Sequence, residues 1–242
     1  YAIGDVHGCA TQLRDLRAHI RRDAAETAAT RRVVVYLGDY IDRGPDVRGV
    51  IDALVNEPLP GFEEVALSGN HEAWLAEMMT DPAAAGPVWL DNGGLATLYS
   101  YGVSPPRWHT AGADDWMALR DRLRAALPPA HLAFFDALRV SHREGDYFFA
   151  HAGVRPGVPL EAQQVDDLLW IRRDFIDRPH GLGVAVVHGH TPVSDPCVQG
   201  DRIAVDTEAY ASGTLTAVRL LAAKATFLQA GGAPVAIGGP GG

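Results

Sequence analysis

Residues 32–44 read Arg-Val-Val-Val-Tyr-Leu-Gly-Asp-Tyr-Ile-Asp-Arg-Gly. The β-branched run Arg32–Leu37 predicts a strand covered on both faces, because its apolar residues do not alternate with polar ones. The run stops at Gly38, and Asp39, Asp42 and Arg43 follow at once. In α/β sheets, ligands bind where loops leave the carboxyl ends of the strands. A glycine at that point permits a tight turn and a close backbone approach.

The pattern recurs along the chain. Tyr1–Ile3 runs into Gly4-Asp5-Val6-His7-Gly8, and Val65–Leu67 leads to Gly69-Asn70-His71-Glu72. Phe148–Ala150 runs into His151-Ala152-Gly153, and Val184–Val187 into His188-Gly189-His190-Thr191. Five predicted strands thus end in polar, ligand-type residues beside a glycine, and their loops can meet at one point. Helical spacing lies between them over Ala10–Arg22, Asp46–Asn56, Glu72–Met79, Asp114–Ala126 and Pro129–Leu138. Thr80–His109, with four prolines, reads as irregular with a short helix near Leu95–Tyr101. Further strands are expected at Ile203–Val205, Leu215–Leu220 and Lys224–Gln229. Strands alternate with helices early and crowd together late, which predicts a layered α/β architecture with more than one sheet or a mixed sheet. We expect one domain over residues 1–230, with an insert at 80–130 near the site, and a loosely held Gly/Pro-rich tail at 231–242.

The 242 residues are 47% hydrophobic, enough to bury a sizeable core in one domain. The formal net charge of -9 argues against a nucleic-acid partner, which needs lysines and arginines to neutralise phosphates. No apolar run approaches the roughly 18–20 residues that span a bilayer, so no membrane partner is expected. Cys9 and Cys197 form no CxxC pair and suggest no disulfide framework, in keeping with a reducing, cytoplasmic location. The chain opens at Tyr1 without a methionine, so a preceding segment is left open. Oligomeric state is not legible.

The clustered residue types suit a metal centre. Asp, His and Asn supply oxygen and imidazole donors, a set better matched to Mn²⁺, Fe or Zn²⁺ than to thiophilic ions. Asp5 and His7, two apart across a turn, can both reach one ion, and Asp39 has two oxygens with which to bridge two ions. Each fragment alone is weak, since an isolated Asp-x-His is usually just polar loop. The strength lies in all five occurring in order at strand ends.

Together these blocks, with Gly38-Asp39-Tyr40-Ile41-Asp42-Arg43-Gly44 and Gly189-His190-Thr191-Pro192, resemble the phosphoprotein phosphatase family of metallophosphoesterases. The likeness is closest to the small bacterial serine/threonine phosphatases and covers about Tyr1 to Leu220. It implies a layered α/β/β/α sandwich with two central mixed sheets and a pair of divalent ions, most simply Mn²⁺. Asp5 and His7 would hold one ion, Asp39 would bridge, and Asn70, His151 and His190 would hold the second. It further implies direct attack on phosphorus by a hydroxide shared by the ions, with His71 as proton donor to the leaving group and Asp42 on its other ring nitrogen. Arg43 would bind phosphate oxygens. Trp170-Ile171-Arg172 resembles a Trp-x-Arg element of bacterial members, which gives Arg172 the same task; Arg173 is its competitor.

His188 is read as a packing neighbour of His190, although a continuing pleat would turn both rings the same way. His19, His109, His131, His142 and His180 match no motif and are expected mostly at the surface. Cys9 is read as a packing residue rather than a redox-sensitive thiol. Trp89, Trp108 and Trp116 are expected to anchor a loosely built subdomain more than to line a groove. Glu208 stands in Asp206-Thr207-Glu208-Ala209-Tyr210, where relatives usually carry glycine, and bears on substrate access. The expected substrate is a phosphoprotein or phosphopeptide. Diadenosine tetraphosphate or another small phosphoester is the alternative; the dinucleotide ranks second because the second loop of the similar bacterial enzymes that cleave it usually lacks the Asp42 equivalent. A non-catalytic phospho-binding protein on the same scaffold is a third reading.

Overall fold

The strand predicted at 32–37 is β2, Val33–Tyr36, and its side chains divide between two cores. Val34 and Tyr36 pack on one side with the helices, while Val33, Val35 and Leu37 pack on the other. This two-sided burial is why the run is apolar at every position. The computed structural model describes residues 1–231, so the expected tail lies outside the described residues except for Gly231.

Among the described residues, ten strands form two five-stranded sheets. The first joins β1 (Ala2–Ile3), β2, β3 (Glu63–Ala66), β9 (Thr214–Leu221) and β10 (Lys224–Gly231) in the order β10-β9-β1-β2-β3. Strands β1, β2 and β3 are parallel, and β9 and β10 close the sheet antiparallel. The second joins β4 (Ser141–Glu144), β5 (Tyr147–Ala150), β6 (Ala185–His188), β7 (Cys197–Gln199) and β8 (Arg202–Ala204) in the order β4-β5-β6-β8-β7. Its middle strands β5, β6 and β8 are parallel. The sheets face each other across an apolar seam in which Ala2, Val35, Leu37 and Leu67 meet Phe149, Val187, Ile203 and Val205. Both sheets are mixed, as expected.

Helices cover the outer faces. Beside the first sheet lie α1 (Ala10–Ala25), α2 (Val47–Asn56), α3 (Asn70–Thr80), α4 (Pro82–Trp89), α5 (Leu95–Ser100), α6 (Ala113–Ala126) and α7 (Pro129–Asp136). Beside the second lie α8 (Val165–Trp170) and α9 (Arg173–Ile176). On α1, Leu13, Leu16, Ile20 and Ala24 form one buried stripe. Each such fully buried leucine or isoleucine contributes roughly 1.5–3 kcal/mol. Arg17 shares that stripe because its guanidinium reaches the Ala53 carbonyl (2.9 Å) at the end of α2. Asp46 begins α2 by accepting from the Gly49 amide.

Two expectations need correction. The stretch 80–109 is helical over most of its first half. Asp81 caps α4 through the Ala84 amide, Pro82 stands at its first position, and a π-turn at Leu90–Gly94 links it to α5. Proline there starts a helix instead of breaking one. Trp89 and Trp116 are accordingly buried in the main core, not in a loose subdomain, and Trp108 packs partly buried at its edge. Nor are all the unassigned histidines at the surface: His109 is exposed and His19 and His142 are half-buried, but two are buried. His131 is buried between Tyr101 Oη (2.8 Å) and Asp52 Oδ1 (3.0 Å), and His180 is buried against Asp201. Both escaped the sequence because their partners are distant in the chain.

Candidate metal centre

The parallel strands deliver their loops to one place. Asp5 and His7 follow β1, Asp39 and Asp42 follow β2, Asn70 and His71 open α3 after β3, His151 follows β5 and His190 follows β6. All eight are buried. The backbone is strained at this place: His7, Asp39, Asp42, Arg43, His190 and Glu208 all have positive φ, between 41° and 70°. Such conformations cost of order 1–3 kcal/mol each for a non-glycine residue, and they persist where the surroundings hold them. Ala222 is the one other non-glycine residue of this kind among those described.

Glu72 organises much of that backbone. It accepts from the amides of Gly69, Asp39 and Tyr40, each at 2.8 Å, and of Ile41. Nothing in the Gly69-Asn70-His71-Glu72 stretch of the sequence marks Glu72 for this role. Gly69 and Gly189 leave room for carboxylates, since a Cβ at Gly69 would run into Asp39 Oδ1 and one at Gly189 into Asp5 Oδ1. The left-handed turn at His190 also ends the pleat of β6, so His188 and His190 do not point alike. His188 packs edge-on against Phe175, and burial lowers its pKa to about 4.

The polar atoms that meet here are acceptors facing acceptors. His151 donates through Nδ1 to the Leu37 carbonyl (3.0 Å), which leaves a lone pair on Nε2. That lone pair faces Asn70 Oδ1 at 2.9 Å, His190 Nδ1 at 3.2 Å and Asp39 Oδ1 at 3.5 Å. His7 likewise donates through Nδ1 to Ile41 O (2.7 Å) and turns Nε2 to Asp39 Oδ2 (3.3 Å). Two groups of possible ligand atoms result, one from His7, Asp39 and His71 and one from Asp39, His151 and His190. Asp39 is common to both.

Charge points the same way. Asp5, Asp39 and Asp206 are buried together, and Asp5 has its pKa raised by burial and by Asp206 and Asp39. Burial alone would raise Asp39 too, but His151, His71 and His7 outweigh it and hold the carboxylate well below its usual range. Burial, aided by His151, lowers His190 to about 2, so this ring is neutral and ready to ligate. Its Nε2 is buried without a partner. Crowded carboxylates beside the neutral rings of His151 and His190 are a donor set suited to cations.

Asp5 accepts from the His190 amide through both oxygens, at 3.2 and 3.1 Å, which ties the first loop to the last. His71 differs from the other rings. Its Nδ1 lies 2.6 Å from Asp42 Oδ2, and its Nε2 is buried without a partner, 3.9 Å from Asp39 Oδ2. Asp42, fully buried, is also contacted by Trp89 Nε1 and Thr97 Oγ1. Trp89 was expected only as an anchor, and Thr97 was not singled out, because 47 and 55 residues separate them from Asp42.

Arg43 points its Nη1 at His7 Nε2 and at Tyr210 Oη, both 3.3 Å, and its guanidinium lies over the Tyr210 ring. Glu208 accepts from Tyr210 Oη (2.8 Å), so its carboxylate is held beside this arginine. Arg172 is exposed, close enough to His190 to help lower its pKa; Arg173, also exposed, begins α9. Trp74 and Trp170 stack edge-on between His71 and His190. They, and not Trp89 or Trp116, are the tryptophans at the mouth of the site.

Cys9 follows the first loop but is buried, with Sγ 3.5 Å from the His7 carbonyl, and burial pushes its thiol up to about 12. In the folded protein at pH 8, a thiol-alkylating reagent should therefore modify the half-exposed Cys197 and spare Cys9. Mass mapping of the alkylated peptides reads this; equal labelling would mean that the first loop opens.

Two mixed sheets between helical layers, with acidic and imidazole donors at the ends of the parallel strands, define a metallophosphoesterase architecture. The chain belongs to the calcineurin-like phosphoesterase family, which it matches over residues 1–239. It is thus a hydrolase of a family that uses a dinuclear divalent metal site. It is 29% identical over 226 residues to a serine/threonine-protein phosphatase 1 from Salmonella typhimurium, covering 91% of each chain. It is 27% identical over 238 residues to an asymmetrical bis(5'-nucleosyl)-tetraphosphatase from Geobacillus thermodenitrificans, covering 90% of this chain and 88% of that one. Among solved structures it is similar in fold to a serine/threonine phosphatase from Saccharomyces cerevisiae (TM-score 0.53, 14% identity, 98% of this chain and 80% of that one). No helix among the described residues is long and apolar enough to cross a membrane.

Proposed function

We propose that this chain is a phosphomonoesterase that dephosphorylates phosphoserine and phosphothreonine in proteins, with residues 1–230 as one catalytic unit. The single observation that carries the reading is the buried Asp42–His71 pair, 2.6 Å apart, set beside the acceptor cluster around Asp39. It supplies what a monoester with a poor leaving group needs, a proton donor aimed at the reacting centre.

Asp5 and His7 would hold one ion, Asn70, His151 and His190 the other, and Asp39 would contribute to each; Mn²⁺ would suit this oxygen and imidazole set, with Fe or Zn²⁺ as substitutes. When bound, the two ions supply positive charge to the phosphoryl oxygens and lower the pKa of water. Arg43, already turned toward His7, neutralises a phosphate oxygen, and Arg172 reaches in from the rim. Asp42 accepts the Nδ1–H of His71 and holds the ring so that, as the imidazolium, its Nε2–H faces the leaving oxygen and protonates it as that oxygen departs. Trp74 and Trp170 give the apolar stem of a phosphorylated side chain a surface to lie on. Bacterial relatives and two unpaired cysteines support a cytoplasmic location.

A second reading, cleavage of a dinucleoside tetraphosphate, draws on the tetraphosphatase relatives at 27% and 25% identity. The test is hydrolysis of a phosphothreonine peptide, an aryl phosphate and diadenosine tetraphosphate side by side, with Mn²⁺ present or chelated. We expect metal-dependent turnover of the first two and little of the dinucleotide. Turnover of the dinucleotide alone replaces the substrate assignment. No turnover with any metal, but retained phosphopeptide binding, makes the chain a binding protein.

A further inference from the structure

Both carboxylate oxygens of Asp42 are hydrogen-bonded, and only one of the three partners is His71. Trp89 Nε1 donates to both carboxylate oxygens, at 3.1 and 2.9 Å, and the Thr97 hydroxyl donates to Oδ1 at 2.5 Å. The same hydroxyl accepts from the Asp42 amide at 3.0 Å, so Thr97 grips this residue at its main chain and its side chain. Asp42, Trp89 and Thr97 are all fully buried, and Asp42 sits at φ 70°. A carboxylate on a left-handed residue would otherwise swing about its χ angles. Held this way, one oxygen lies 2.6 Å from His71 Nδ1.

The π-turn at Leu90–Gly94 brings both contacts to one carboxylate. Gly93, at φ 110°, accepts from the Arg43 amide through its carbonyl, and a Cβ there would crowd the Arg43 side chain. Gly94 has no room for a Cβ because the Trp89 indole occupies that space. Here one turn fixes both the arginine main chain and the indole that holds the neighbouring aspartate.

We propose that Trp89 and Thr97 are positioning residues for the proton donor, so that the α4–π-turn–α5 segment aims His71 through Asp42. This rests on the reading of His71 as donor. The step itself forms a P–O bond to a water oxygen as the ester P–O bond breaks, while the Nε2 proton of the His71 imidazolium moves to the departing ester oxygen and leaves the ring neutral.

Donation of that proton matters most for a leaving group that is a weak acid, and least for one that departs readily as an anion. The readout is therefore the ratio of kcat on p-nitrophenyl phosphate to kcat on phenyl phosphate, measured with Mn²⁺ on one protein sample. Folding yield and metal loading cancel in that ratio. Asp42→Asn should raise it about a hundredfold, the lower end of what a general acid contributes. Trp89→Phe and Thr97→Val should raise it about tenfold, the scale of losing an outer hydrogen bond to a catalytic group. Thr97→Ser, which keeps the hydroxyl, should restore the wild-type ratio. Trp89→Phe added to Asp42→Asn should raise the ratio no further, because both act through one path. If Asp42→Asn moves the ratio while Trp89→Phe and Thr97→Val leave it at the wild-type value, or if Trp89→Phe adds in full to Asp42→Asn, the positioning role is overturned. If Asp42→Asn leaves the ratio unchanged, the donor reading falls and this inference falls with it.

Discussion

Replacing Asp39 with asparagine lowers phosphate-ester hydrolysis by more than about a hundredfold, beyond the upper range for disturbing one partner of a metal ligand. Asp39 is the one residue common to both groups of candidate ligand atoms, with His7 facing one oxygen and His151 the other. An asparagine keeps the shape but loses the charge and one acceptor oxygen. It also turns an amide toward rings whose free nitrogens are acceptors. The loss should appear in kcat on p-nitrophenyl phosphate at saturating Mn²⁺, with the fold intact by circular dichroism. A variant retaining a tenth or more of wild-type activity would place the metals elsewhere.

Replacing His71 with asparagine is expected to cost about 10²–10⁴ in kcat on a phosphothreonine peptide, the range of a general acid. The distinguishing measurement is metal content. His71 Nε2 lies 3.9 Å from Asp39 Oδ2, so geometry alone permits a ligand role. His7 is nearer, at 3.3 Å, and Asp5 closes the same loop through the His190 amide. With those two as ligands, the His71→Asn protein keeps its full metal complement while losing turnover. Loss of one ion with the rate would make His71 a ligand and remove it from proton transfer.

Much of this site was legible because each chemical residue follows directly on a strand. Asp39 stands three residues beyond β2, and His151 immediately beyond β5. In parallel strands, sequence order alone sends those loops to the same edge. The layered fold was legible for the same reason, since Val33–Tyr36 is apolar on both faces and must be covered twice. Residues that support the site from a distance were not. Trp89 reaches Asp42 from a helix where the prolines suggested irregular chain, and Thr97 from the short helix expected there, but no motif marks either side chain. Glu72 serves four amides, none of which carries a side-chain signature. Asp206 was noticed only as part of a loop, although it follows β8 as the other candidates follow their strands. The short edge strands β4 and β7 were missed because partners across the sheet, more than their own polar residues, make them strands.

The strained backbone connects these supports to function. Six site residues hold positive φ, and the amide contacts of Glu72, Thr97 and the Gly93 carbonyl fall on that same stretch, at Asp39 to Arg43. Strain of this kind fixes ligand atoms in place before any cation arrives, which lowers the reorganisation needed on binding.

The central claim is that these loops build a site for two cations, and counting them tests it most directly. The purified chain would be stripped with a chelator, dialysed to equilibrium against Mn²⁺ and analysed for metal per chain by elemental analysis, beside the Asp39→Asn variant. The structure predicts two ions per wild-type chain and at most one in the variant. A wild-type chain that takes up one ion or none, while still folded, would contradict the account.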